Sequence, residues 1–170
     1  MAELTAQERL QPSLLDRLVD YAPGEKRESD DKRTLTRQAL RQAVLRDLSW
    51  LFNATGLGLE ERRHPHAARS VLNYGLPMLS GQFTSSVQRV SMEQALKNAI
   101  VQFEPRILSR TLEVELIMDG SALDSHNRIG LQIRGMLWAQ PVPLEFLMRS
   151  RIDLEEGRIE IEDMSHPSQR

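Results

Sequence analysis

Residues 91–108 read Ser91-Met92-Glu93-Gln94-Ala95-Leu96-Lys97-Asn98-Ala99-Ile100-Val101-Gln102-Phe103-Glu104-Pro105-Arg106-Ile107-Leu108, and within them the period of the apolar residues changes. Before the change, Met92, Leu96, Ala99, Ile100 and Phe103 recur at helical spacing. After it, Leu108, Leu112, Val114, Leu116 and Met118 lie on one face of a two-residue alternation, with Thr111, Glu113 and Glu115 on the other. Ser91 followed three residues later by Gln94 is a capping box, which predicts the helix start there. Pro105 explains the switch. It donates no backbone N–H and drives the residue before it out of the helical region. The helix is predicted to end near Phe103, with Glu104 extended beside its negative end, an unfavourable place for a carboxylate by roughly 0.3–1 kcal/mol. Arg106 is placed to offset that charge. Two readings stand: a helix stop with two solvated charges, or a rigid acid–base pair presented to a partner.

Working outward, 170 residues with 40% hydrophobic and 27% charged content suffice for one domain with a real core. A net charge of −2 gives no overall field that would gather nucleic acid. The absence of cysteine excludes disulfides and thiolate metal sites and fits a reducing compartment. The start of the chain has no signal-peptide pattern, and no apolar run approaches the roughly 18 residues of a membrane helix. The expectation is a soluble, cytoplasmic protein without direct membrane insertion.

Residues 1–33 read as an N-terminal arm. Within it, residues 12–20 predict a short amphipathic helix with Leu14, Leu15 and Leu18 inward, either docking on a neighbour or packing on its own domain. Eight of the nine residues 25–33 are charged, the composition of a linker. Residues 34–163 are expected to form a single α+β domain, and residues 164–170 a tail. Thr34 or Thr36 caps a first long helix reaching about Asn53, with Leu40, Val44, Leu48 and Leu51 as its apolar stripe, Ala43 and Phe52 beside it, and Gly56 and Gly58 ending it. Arg33, Arg37 and Arg41 recur every four residues opposite that stripe. Residues 32–69 hold eight Lys and Arg against three acids, so this face is either a solvated helix surface or a basic patch for nucleic acid or an acidic protein.

Ser70-Val71-Leu72-Asn73-Tyr74-Gly75-Leu76-Pro77 predicts a short strand or a buried irregular turn. Beyond the central stretch, three strands form an antiparallel meander at about 108–118, 128–139 and 142–153, with Ile159 and Ile161 as a further short strand. The outer face carries Glu113, Glu115, Gln132, Arg134, Glu145, Arg149 and Arg151. The fold class is α+β: two main helices packed on a small antiparallel three- to four-stranded meander, preceded by a helical arm. Such a sheet has two edges on which another chain's strand can add.

Motifs for catalysis are lacking. There is no phosphate loop, dinucleotide fingerprint or nucleophile elbow. His64-Pro65-His66 has no metal-site spacing. Glu104 is the one acid at a fixed irregular position next to apolar residues, and no second acid is tied to it as a two-carboxylate glycosidase would need. No cofactor, metal or small-molecule ligand is expected.

Four stretches in order nevertheless resemble one family. Pro12-Ser13-Leu14-Leu15-Asp16-Arg17-Leu18, Val44-Leu45-Arg46-Asp47-Leu48-Ser49-Trp50-Leu51-Phe52-Asn53, Ser70 through Pro77, and Glu104-Pro105-Arg106 are similar to the type VI secretion baseplate subunits of the TssE family. The resemblance spans roughly residues 9–163. These proteins are in turn similar to a contractile-phage baseplate wedge subunit long labelled lysozyme-like. The resemblance implies a structural, non-enzymatic role. Glu104, Pro105 and Arg106 would dock on the other wedge subunits, and the sheet would share strands with contractile sheath subunits to start sheath polymerisation. The alternatives from the residues are a peptidoglycan-cleaving glycosidase built on Glu104 and a nucleic-acid binder built on Arg33, Arg37 and Arg41.

Overall fold

A computed structural model describes residues 13–18, 24, 35–59, 62–77, 86–117, 128–139, 141–153 and 159–163. The elements run α1 (Leu14–Leu18), α2 (Arg37–Phe52), α3 (Pro65–Ala68), α4 (Ser86–Phe103), β1 (Glu113–Ile117), β2 (Arg128–Leu137), β3 (Leu144–Asp153) and β4 (Ile159–Asp163). The strands form one antiparallel sheet in chain order, four strands wide, so the α+β meander predicted from the alternation is present. The linker at 25–33, the loop at 119–127 and the tail lie outside the described residues.

The Thr36 hydroxyl starts α2 by accepting from the Ala39 N–H at 3.1 Å. Leu40, Ala43, Val44, Leu48, Leu51 and Phe52 are all buried, as their spacing requires. Asn53, and not the later glycines, closes the helix. Its backbone and side-chain N–H groups both donate to the Ser49 carbonyl. The same side chain donates to the Ile159 carbonyl and accepts from the Ile159 N–H, each at 3.1 Å, which fastens the end of α2 to β4.

The buried stripe of α4 (Met92, Leu96, Ala99, Ile100) joins that of α2 over Leu116, Ile129, Leu131, Ile133, Phe146, Met148 and Ile152 of the sheet in one core. Helix α4 lies against β1 and α2 against β4. The helix begins at Ser86, so Ser91 stands more than a turn inside it and the capping box does not mark its start. Interior residues of good helical propensity carry the helix through a cap-like tetrad when its apolar stripe has a core to meet.

Other expectations are also corrected. Strand β1 begins at Glu113, because Ser109–Thr111 form a 3-10 turn in which the Thr111 N–H bonds the Leu108 carbonyl at 2.9 Å. Gln132 is buried, its Oε1 accepting from Arg149 Nε at 3.0 Å. Arg41 is folded onto the sheet, donating to the Glu145 carbonyl at 2.6 Å, so it belongs to no free basic face; Arg33 lies outside the described residues. Two of the three leucines of α1 do not face inward. Leu14 and Leu18 are each 73% exposed; Leu15, 43% exposed, turns toward the domain, to which α1 is also held by the Asp16–Arg46 ion pair.

Residues 70–77 are an irregular turn. A 3-10 segment, Val71–Asn73, leads to a parallel bridge between Thr55 and Leu76, with the Gly56 N–H to the Leu76 carbonyl and the Leu76 N–H to the Ala54 carbonyl at 2.9 Å each. Gly75 has φ +124°, and a Cβ there would stand 2.5 Å from the Ala54 oxygen. Gly58 has φ +64° with open space around it. Gly75→Ala is therefore expected to lower stability by about 2–4 kcal/mol and Gly58→Ala by only about 1 kcal/mol, read from urea midpoints. Equal midpoints would show that the loop yields to the extra methyl.

Candidate functional site

The chain leaves α4 at Phe103, and the last helical bond runs from the Glu104 N–H to the Ile100 carbonyl at 2.8 Å. Pro105 then turns the chain. The Ile107 N–H returns to the Glu104 carbonyl at 3.2 Å, and Ile107 bridges antiparallel to Leu137. The turn is thus clamped between a helix end and the sheet, with Pro105 exposed at its apex.

Glu104 is only 3% exposed, so it is not a solvated charge. Its Oε1 accepts from the backbone N–H of Arg106 at 3.2 Å and from Arg106 Nε at 2.7 Å, while Oε2 accepts from Nη2. The same Nη2 reaches Asp47 of α2. Asp47 also accepts from Arg46 Nε at 3.0 Å and Nη2 at 2.8 Å, and Arg46 reaches Asp16 of α1. Five side chains therefore alternate in sign: Asp16, Arg46, Asp47, Arg106, Glu104. Burial opposes the charge of Arg106, but the hydrogen bond and charge of Glu104, with Asp47 behind, hold its pKa above the ordinary value. Its Nη1 is buried without a partner.

Beside this chain of charges lies a groove of about 280 Å³. Leu15, Trp50, Tyr74 and Phe103 form its apolar walls, and Asp47, Glu104 and Arg106 its charged side. Tyr74 meets Phe103 edge to face, with ring centroids 5.2 Å apart. Arg46 lies 5.0 Å above the Trp50 ring, which stays 49% exposed. The structure thus brings Glu104 and Arg106 together, as their spacing suggested, but engages them with their own domain. Sequence reading missed Asp47, Arg46 and Tyr74 as members of the site. One signal was available: Asp47 falls three residues after Val44 and four before Leu51, on the flank of the buried stripe of α2.

The arrangement offers little to a glycosidase. Both oxygens of Glu104 accept from Arg106, and Asp47 accepts from two arginines. A catalytic pair needs one carboxyl aimed at a leaving group and another facing the sugar or a water. Among the described residues no group of three or more His, Asp or Glu is set to hold a metal ion.

The family model for baseplate wedge protein gp25 matches residues 38–142, from the first turn of α2 to the approach to β3. The chain belongs to this family. No curated protein and no solved structure matches it at a significant level. The family is one of structural baseplate proteins, and its matched region contains every residue of the charge chain except Asp16. Among the described residues no helix is long and apolar enough to cross a membrane.

Two tests follow from the charge chain. Arg106→Met leaves Glu104 buried without its cation and is expected to cost about 3–5 kcal/mol; adding Glu104→Leu should recover much of that loss in urea unfolding. The hydrogen bond from Arg46 is the largest influence holding Asp16 below its ordinary pKa of 3.8. A lowered folded value means that the stability from this pair is complete above 3.8 and is lost as the pH falls through the lowered value. Amide shifts of residues 14–18 should move to coil values in that acid range, and in Asp16→Asn already at neutral pH; α1 shifts that ignore both changes would show another anchor.

Proposed function

We propose that this protein is a structural adaptor in the baseplate of a contractile type VI secretion apparatus, working in the cytoplasm. It docks on the other wedge subunits through the Glu104-Pro105-Arg106 turn and the groove beside it. Its sheet shares strands with the first sheath subunits and so starts sheath polymerisation. Membership of the baseplate wedge family supports the class of role. The four motif stretches, including the α1 sequence that precedes the family match, support the type VI assignment.

The observation that carries the docking reading is the Glu104–Arg106–Asp47 clamp. It holds an exposed proline next to a groove whose apolar wall includes a half-exposed tryptophan, so a partner meets a surface already ordered. The charges act from beneath that surface by fixing its shape. This differs from direct pairing of Glu104 with a partner, because the Glu104 carboxylate is covered.

Co-purification with the other wedge subunits tests the reading. Pro105→Gly and Trp50→Ala are expected to lose wedge binding while keeping the wild-type circular dichroism spectrum and melting temperature. Replacing a buried interface aromatic typically costs about 2 kcal/mol or more, roughly thirtyfold in affinity. If both folded variants co-purify like wild type, docking through this turn and groove is wrong. Cell-wall cleavage by the isolated protein that Glu104→Gln abolishes would replace the adaptor with an enzyme.

A further inference from the structure

We propose that the open edge of β1, and not that of β4, receives the incoming strand, and that this strand alternates lysine or arginine with apolar residues. The inference rests on the strand-sharing reading above.

The register decides which main-chain groups are open. The Leu116 N–H donates to Glu93 Oε1 of α4 at 3.0 Å, so it points away from β2. Antiparallel pairs alternate between bonded and non-bonded, so the groups of Val114 also face outward while those of Glu113, Glu115 and Ile117 bond β2. Among the described residues no hydrogen bond is made to the N–H or carbonyl of Val114 on that side.

The opposite edge is differently treated. Asn53 occupies both the N–H and the carbonyl of Ile159, and α2 runs alongside β4. The first open pair of that edge is therefore already filled by a side chain acting as a short strand. On β1, among the described residues, a single carboxylate covers a single N–H, and an incoming carbonyl can take its place.

Charge then selects the partner. A strand laid outside β1 places alternate side chains beside Glu113 and Glu115, which are both exposed. Glu113 already faces Arg134 across the sheet. Glu115 faces Gln132, whose oxygen is taken by Arg149, so Glu115 has no cation opposite it in the register. Displacing Glu93 would free a third carboxylate at the same edge. The intervening side chains of the new strand would lie beside Val114 and Leu116 over the core, which requires apolar residues there. The 3-10 turn at Ser109–Thr111 ends the straight edge on the N-terminal side of β1, so the pairing starts no earlier than Leu112.

The test uses the full chain and two blocked hexapeptides, Val-Lys-Val-Lys-Val-Lys and Val-Glu-Val-Glu-Val-Glu, with amide exchange as readout. The basic peptide is expected to slow exchange at Val114, leave Ile161 unchanged, and bind roughly tenfold tighter than the acidic one, a preference that shrinks as salt is raised. Glu115→Lys, folded by circular dichroism, is expected to reverse the preference. Protection at Ile161 in place of Val114 would overturn the edge assignment while leaving strand sharing intact. Equal binding of the two peptides would overturn the charge pattern. Protection at neither edge by either peptide would overturn both this inference and the strand-sharing reading.

Discussion

The half-buried guanidinium of Arg106 joins parts of the chain that have no covalent reason to meet. It ties the end of α4 to α2 through Asp47, a residue 59 positions earlier in the chain, and it covers a carboxylate that proline has stranded at a helix end. A buried ion pair of this kind is a weak source of net stability, since the cost of removing both charges from water roughly matches their attraction. Its stronger effect is on geometry. Bidentate bonding leaves one orientation for the guanidinium and hence one angle for the turn. The groove walls inherit that angle, because Phe103 ends α4 and Trp50 and Leu51 follow Asp47 by one turn of α2.

The same economy recurs where helices meet the sheet. Asn53 closes α2 and completes β4 with the same amide. Glu93 projects from α4 to cover one N–H on β1. In both places a helical side chain satisfies strand groups that would otherwise be open, one fully and one in part. The two edges consequently differ although both end the same meander. Helix α1 stands apart from this scheme. Leu14 and Leu18 face solvent, and its attachment through Asp16 and Arg46 is a part-buried pair still reached by water, which contributes on the order of 1 kcal/mol. An apolar surface carried on so weak an anchor is available to a neighbour at small cost.

Much of the fold was legible because burial and period coincide in it. The stripe Leu40, Val44, Leu48, Leu51 and the alternation Phe146, Met148, Ile152 each meet the core as spaced. Departures occur where a local signal competes with packing. Ser91 and Gln94 have the chemistry of a cap, but the apolar stripe of α4 sets the helix's place. Arg41 and Gln132 have the polarity of surface residues, yet Gln132 has a bonding partner that permits its burial, under Arg149, and Arg41 is drawn onto the Glu145 carbonyl and only partly exposed. For the site, Glu104, Pro105 and Arg106 could be singled out from the proline break alone. Asp47, Arg46 and Asp16 could not be joined to them, because no sequence spacing encodes which helix faces which turn.

Sequence alone therefore determined the two long helices and the four strands, the meander order, the helix stop at Pro105 and, through the order of its motifs, the resemblance to a contractile-tail baseplate subunit. These follow from rules that act within a few residues: side-chain period, capping and the missing N–H of proline. Tertiary structure decided that Glu104 is covered, that its charge is shared with Asp47, that Leu14 and Leu18 face outward and that the two sheet edges are unequal. Each of these depends on residues tens of positions apart being brought within hydrogen-bond reach, where dehydration makes a charge costly unless an opposite charge is placed against it.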